Sequence, residues 1–348
     1  MSDTLIDVKD LKIHFFTDEG IVRAVDGVDL AVERGKTLAL VGESGCGKSV
    51  ACRALLNIVH PPGKIVSGEI LFHRMFHEKE GNGSNGTVDI VRLKPGGREI
   101  RDIRGKEISM IFQEPMTSLS SMYTIGDQIM ENILLHNNMS KQEARALSIK
   151  LLGEVGIPKP DRLVDEYPFR LSGGMRQRAM IAMALSCSPT MLIADEPTTA
   201  LDVTTQANIL DLMLDLQKQY HMTLLFITHD LGVVAEIADE VAVMYLGKII
   251  EKSDVFTIFN SPAHPYTQAL LKSIPKIAVR REKLDPIKGM VPNPYSRPSG
   301  CPFHPRCPKA FAECKTIVPK TTKLSENHTV QCLLYEGTTG QKATESSL

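Results

Sequence analysis

An α/β fold, with buried strands ending in phosphate-handling residues, is predicted by three stretches of this 348-residue chain. The first is the apolar run Thr37 to Val41, which leads into a glycine-rich loop at residues 42–49 and then into helix-forming residues Val50 to Leu56. The second runs from Met191 to Ala194 and ends in Asp195 and Glu196. The third, Thr223 to Thr228, ends at His229. Short apolar runs without alternation are what a sheet covered on both faces requires.

The loop at 42–49 reads Gly42-Glu43-Ser44-Gly45-Cys46-Gly47-Lys48-Ser49, a full match to the phosphate-loop pattern G-x-x-x-x-G-K-S/T. Its glycines let the backbone approach phosphate oxygens, where a side chain would clash. Successive N–H groups then face an anion at the start of a helix. Lys48 adds a point charge for the β- and γ-phosphates, and Ser49 offers a hydroxyl to Mg²⁺. A strand before the loop and a helix after it are the context this pattern needs, so the chain is expected to bind a nucleoside triphosphate.

Further along, Leu171-Ser172-Gly173-Gly174-Met175 precedes a helix-like run from Ala179 to Leu185, and again suits backbone donors presented to phosphate. Asp195 is placed to hold the Mg²⁺ shell and Glu196 to orient attacking water or take its proton. Taken singly, Ser-Gly-Gly is an ordinary turn and a lone His an ordinary loop residue. Their order, each at an element boundary, favours a nucleotide hydrolase.

Composition sets limits. Hydrophobic residues make up 43% and charged residues 23%, which is too apolar for a disordered chain. A net charge of −1 gives no whole-surface attraction to nucleic acid, and none is expected as a partner. Met1 to Asp7 has neither a basic nor an apolar stretch, so no secretory signal is expected. No apolar run approaches the roughly 18 residues of a spanning helix. Work at a membrane would then go through a partner.

The order of these motifs resembles the ATP-binding cassette (ABC) ATPases, from about Leu5 to Glu251. The resemblance implies a phosphate-loop cassette with a RecA-like core, an antiparallel β edge and a helical subdomain. Residues 42–49 resemble the Walker A loop, and Gln113 the loop glutamine that senses Mg²⁺ and couples to the membrane subunit. Leu171 to Met175 resemble the family signature, Asp195 the Walker B aspartate and Glu196 the catalytic glutamate. Asp202, in Ala200-Leu201-Asp202, resembles the loop that crosses the dimer interface, and His229 the switch histidine at the γ-phosphate. The family stacks an aromatic on adenine. Phe16 is the candidate, with Phe15 beside it and plain strand packing as the competing account. Cassettes of this family work in pairs, so Lys48, Ser49, Asp195, Glu196 and His229 would face a partner's signature across ATP.

Between Gln113 and the signature, Ser140-Lys141-Gln142-Glu143 is a capping box opening a helix with Ala144, Leu147, Leu151 and Leu152 on one side. Gly156 and Pro158 end it. This suits a helical subdomain over about 114–170. Residues 78–97 are rich in Gly, Asn and charge and are expected to form a surface insertion.

The C-terminal third narrows the resemblance. Ser261-Pro262-Ala263-His264-Pro265-Tyr266-Thr267, Gly289 to Pro294 and Gly300 to Pro308 are similar to the tail of peptide-importer ATPases, a group with relatives for nickel and oligosaccharides. The chain departs from that group at Ser120-Ser121 and Phe169-Arg170, which leaves the cargo open. A cassette over 1–260 and an importer-type extension over 261–348 are expected. Cys301, Cys307, Cys314 and Cys332 gather in the extension, a count that suits four thiolates on a metal. Zinc, free thiols and an iron–sulfur centre all stay open on spacing alone. The resemblance implies a 4Fe–4S cluster stapling a small Cys-rich domain.

The expected protein is thus the ATP- and Mg²⁺-dependent subunit of a di- or oligopeptide importer, peripheral on the cytoplasmic side of the inner membrane. The resemblance implies a paralogous second ATPase as heterodimer partner, two transmembrane permease subunits and an extracytoplasmic substrate-binding protein. The competing class, a soluble cassette ATPase outside transport, usually fuses two cassettes or carries a long coiled-coil insertion. Neither is visible here.

Overall fold

The computed structural model describes residues 4–74, 86–113, 118–199, 201–273 and 287–337. Two sheets and a layer of helices surround the phosphate loop. The smaller sheet is antiparallel, in the order β2-β1-β4-β5. Strands β1 (Thr4–Thr17) and β2 (Gly20–Glu33) form a long hairpin, and β4 (Gly63–His73) lies along β1. Strand β5 (Thr87–Asp89) closes the edge, so part of the segment expected as a loop is paired backbone. The Gly-Asn run of that insertion falls outside the described residues.

The larger sheet runs β11-β12-β10-β9-β3-β8-β7-β6. Its centre is parallel: β6 (Ile108–Ile111), β7 (Met191–Asp195), β8 (Thr223–Thr228), β3 (Thr37–Val41) and β9 (Glu240–Tyr245). Every residue of β3, β7 and β8 is buried, which accounts for their unbroken apolar sequence. The two faces still separate by alternation. Met191 and Ile193 of β7, and Leu225 and Ile227 of β8, face the core shared with Leu5, Ile6, Leu11 and Phe72 of the small sheet. Leu192, Ala194, Leu224 and Phe226 face the helices. Each buried Leu, Ile, Met or Phe side chain among them contributes about 1.5–3 kcal/mol, so both faces hold the strand ends rigidly.

Helices on that second face are capped as their sequence directs. Ser140 accepts the Glu143 N–H while the Glu143 carboxylate accepts the Ser140 N–H, opening the helix Lys141–Glu154. Gly156, at φ 74°, turns the chain out of it. A second capping box, Thr124 with Asp127, opens the helix Ile125–His136. Residues 114–117, where the helical segment was expected to begin, lie outside the described residues.

The C-terminal segment does not stand apart. Strand β12 (Thr329–Gln331) pairs with β10 (Lys248–Asp254), and β11 (Thr321–Lys323) pairs with β12, so the tail extends the main sheet. Buried Glu251 of β10 anchors it, accepting the N–H groups of Ala263 (2.6 Å) and His264 (2.9 Å) and meeting the ring of His328 at 2.8 Å. Tyr245, Tyr266 and Phe303 pack ring on ring with centroids 4.7–5.4 Å apart, joining β9, the helix Pro265–Lys272 and the tail in one apolar cluster.

Candidate functional site

The site lies where β3, β7 and β8 end. After Val41 the chain turns through Gly42 and Gly47 into the helix Lys48–Ala54. Both glycines are compelled by the close approach of other backbone. A Cβ on Gly42 would sit 2.2 Å from the Met244 carbonyl, and one on Gly47 would sit 2.2 Å from the Ala24 carbonyl. The loop is therefore wedged between β2 and β9, and its shape is set before any ligand arrives. Lys48 is folded against its own loop, donating to the carbonyls of Gly42 (2.8 Å) and Glu43 (3.1 Å).

The Ser49 hydroxyl donates to Asp195 Oδ1 at 2.8 Å, bridging loop and β7. Asp195 is fully buried, and burial pushes its carboxyl up from the usual range. Its second oxygen, Oδ2, has no hydrogen-bond partner among the described residues. A buried carboxylate oxygen without a partner is costly, and its place beside the Ser49 hydroxyl suits a divalent cation.

One residue on, Glu196 takes a left-handed backbone conformation at φ 48°, a strain of about 1–2 kcal/mol for a side chain of this kind. Its N–H still reaches the Ile227 carbonyl at 2.9 Å, so the turn is held by β8. The strained turn places the carboxylate among three partners. Oε2 accepts from Gln113 Nε2 and from Thr199 Oγ1, both at 3.0 Å, and Oε1 lies 3.2 Å from His229 Nδ1. The structure thus brings Gln113, Glu196 and His229 together, with Ser49 and Asp195 one strand position behind.

The segment Leu171 to Met175 is held elsewhere, at the start of the helix Gly173–Leu185 with Ser172 as its cap. A Cβ on Gly174 would meet Thr205 Cγ2 at 2.9 Å. Thr205 in turn is bound by Asp202, the cap of the helix Val203–Tyr220. The expected signature and the expected dimer loop are therefore neighbours; Ala200 lies outside the described residues. Of the two adjacent aromatics, Phe15 turns into the core and Phe16 turns out, 45% exposed, with Lys64 Nζ 5.8 Å above its ring.

Comparison with known proteins settles the family. A model of the ABC transporter family matches residues 25–199, and one of the oligopeptide/dipeptide transporter C-terminal region matches residues 250–314. The chain belongs to the ABC transporter ATPase family. It is 49% identical over 334 residues to the oligopeptide transport ATP-binding protein AppD of Bacillus subtilis (strain 168), covering 96% of this chain and 97% of the relative. It is 44% identical over 328 residues to the dipeptide transport ATP-binding protein DppD of Escherichia coli (strain K12), covering 94% and 96%. Among solved structures, cbiO1 of Clostridium perfringens, part of the transporter complex cbiONQ, matches with TM-score 0.59 at 27% identity over 75% of this chain and 92% of that one. A dimeric cassette, MJ0796 bound to ADP and Pi, matches in fold with TM-score 0.61 at 24% identity, over 72% and 98%.

For this ABC protein the iron–sulfur expectation is corrected. Among the described residues, no group of three or more His, Cys, Asp or Glu side chains is arranged to hold a metal ion. Cys301 and Cys314 are instead buried against Tyr245, Tyr266 and Phe303, and Cys332 packs with Ala263 and Val330. Burial pushes the thiols of Cys301 and Cys307 up, and that of Cys332 up to about 11. The tail is held by apolar packing and by its pairing with β10.

Sequence reasoning missed Thr199, whose hydroxyl lies three residues past Glu196 in an otherwise unremarked Pro-Thr-Thr stretch. It also missed Tyr266 and Arg306, which reach the phosphate loop from the C-terminal region. Tyr266 Oη accepts the Glu43 N–H at 3.0 Å, and Arg306 pairs with the Glu43 carboxylate.

Proposed function

We propose that this chain is the ATP-hydrolysing subunit of an importer for di- and oligopeptides, working as one half of a cassette pair on membrane permease subunits. The observation that carries the reading is full-length identity of 44–49% to proteins named for oligopeptide and dipeptide transport, with the transporter-type C-terminal region included. No described helix is long and apolar enough to cross a membrane; in the importer reading the chain attaches to the cytoplasmic face of the inner membrane through the permease subunits.

The geometry supports a division of labour. Residues 42–49 cradle the triphosphate, with Lys48 swinging from the Gly42 and Glu43 carbonyls to the β- and γ-phosphates. Phe16, the outward aromatic, stacks on the base. Glu196 takes the proton of the attacking water, Gln113 and Thr199 aim its carboxylate, and His229 holds the γ-phosphate end. The bare Asp195 Oδ2 beside the Ser49 hydroxyl fits Mg²⁺, which when bound neutralises charge developing on the phosphates. Leu171 to Met175 complete a partner cassette's site, next to Asp202 at the shared surface. The extension at 261–348 and a heterodimeric pairing with a second ATPase and a binding protein follow the same importer reading.

Purified alone, the chain should hydrolyse ATP slowly. Reconstituted with its permease and binding protein, it should hydrolyse faster when peptides are added. Failure of peptides to stimulate the assembled complex, with nickel or an oligosaccharide doing so instead, would overturn the cargo. Native mass spectrometry showing two copies of this chain and no second cassette would overturn the heterodimer.

A further inference from the structure

Glu43, the second residue of the phosphate loop, is gripped by two residues of the C-terminal region. Arg306 donates to both its carboxylate oxygens, at 2.7 and 3.0 Å, across 263 positions of chain. Tyr266 Oη accepts its backbone N–H at 3.0 Å. Both lie within the 250–314 match and outside the 25–199 match. Arg306 is fixed for this task. Its side chain is only 4% exposed, Nε donates to the Lys288 carbonyl at 3.2 Å, and the guanidinium lies 5.9 Å from the Tyr245 ring centre. The Glu43 carbonyl, on the same residue, accepts Lys48 Nζ.

We infer that Arg306 is a positioning residue for ATP: it neutralises Glu43 and holds the phosphate loop open to an anion, so that the C-terminal region sets the nucleotide affinity of the cassette. Without Arg306, an unpaired carboxylate stands at the mouth of a loop that must receive a triphosphate. Repulsion and loss of the brace then both weaken ATP binding. Chemistry at the γ-phosphate is untouched, because Arg306 reaches none of Ser49, Asp195, Glu196 or His229. The inference rests on the reading that residues 42–49 hold the phosphates.

The test is ATP binding to the full chain by equilibrium titration, with KM and kcat of the assembled transporter. Arg306→Gln should raise KM for ATP about tenfold and leave kcat within about twofold. Adding Glu43→Gln to Arg306→Gln should return most of the affinity, since the unpaired charge is gone; a merely structural role for Arg306 gives no such rescue. Should Arg306→Gln not fold, Arg306→Met, alone and with Glu43→Gln, carries the same comparison, because it too removes the charge that pairs with Glu43. Unchanged ATP affinity on losing Arg306, or a double variant as weak as the single one, overturns the inference. Lys48→Ala binding ATP as well as wild type would instead sink the phosphate-loop reading, so the two failures are distinct.

Discussion

His229 Nδ1 stands 3.2 Å from Glu196 Oε1, although the two residues leave different strands of the central sheet. Parallel pairing of β7 with β8, with Asp195 opposite Ile227, brings the strand ends level. The strained turn at Glu196 then points its carboxylate at the ring. The contact also explains why an exposed histidine can be held without burial, since Gln113 and Thr199 fix the carboxylate from the other side.

Replacing Glu196 by Gln keeps the shape and removes the proposed base. ATP binding should persist while ATPase activity of the assembled transporter falls at least about tenfold, the lower range for losing a general base. Turnover at the wild-type rate would remove Glu196 from the chemistry.

Asp195→Asn should act on the metal rather than on the base. With one charged oxygen lost beside Ser49, the Mg²⁺ concentration for half-maximal ATPase activity should rise at least about tenfold. A Mg²⁺ titration that superimposes on wild type would exclude Asp195 as a determinant of the site.

Acid should loosen the tail. His264 accepts the Tyr266 N–H at its ring nitrogen, and burial lowers its pKa from the ordinary 6.5 to about 4, against the opposing pull of Glu251. The unfolded chain therefore binds a proton across that window that the folded chain refuses, so stability rises with pH from about 4 to 6.5 and is lost as pH falls through it. His264→Asn keeps a capping oxygen and cannot titrate. Urea unfolding at a series of pH values should show a shallower slope for this variant; an identical slope would contradict the assignment.

Ser140→Ala removes one half of a capping box far from the nucleotide loop. It should cost about 1 kcal/mol in urea unfolding, with ATP affinity unchanged. A loss of affinity equal to the loss of stability would mean that the helix Lys141–Glu154 is coupled to the site.

Much of this protein follows from neighbouring residues alone. Strands Thr37–Val41, Met191–Asp195 and Thr223–Thr228 match their apolar runs to within a polar residue at an end, because a sheet covered on both faces leaves no polar position in the middle of a strand. The helix Lys141–Glu154 starts at its capping box for an equally local reason: the partners are three residues apart. The placement of residues 42–49 after β3, of Asp195 and Glu196 at the end of β7 and of His229 after β8 was readable for the same cause.

Other features needed the folded chain. Phe15 and Phe16 carry the same side chain, and the strand path alone turns one inward and the other out. The four tail cysteines invited a shared metal by count, yet among the described residues no group of three or more His, Cys, Asp or Glu side chains is arranged to hold one, and Cys301, Cys314 and Cys332 are buried in the apolar clusters that tie the tail to β9 and the 265–272 helix. The Glu43–Arg306 pair leaves no local trace, since its members lie 263 positions apart. Their meeting depends on β12 joining β10 and on the Tyr245–Tyr266–Phe303 cluster drawing the tail over the loop. Motifs record interactions within a turn or a strand; contacts between distant segments are set by sheet order and packing, which no short stretch of sequence carries.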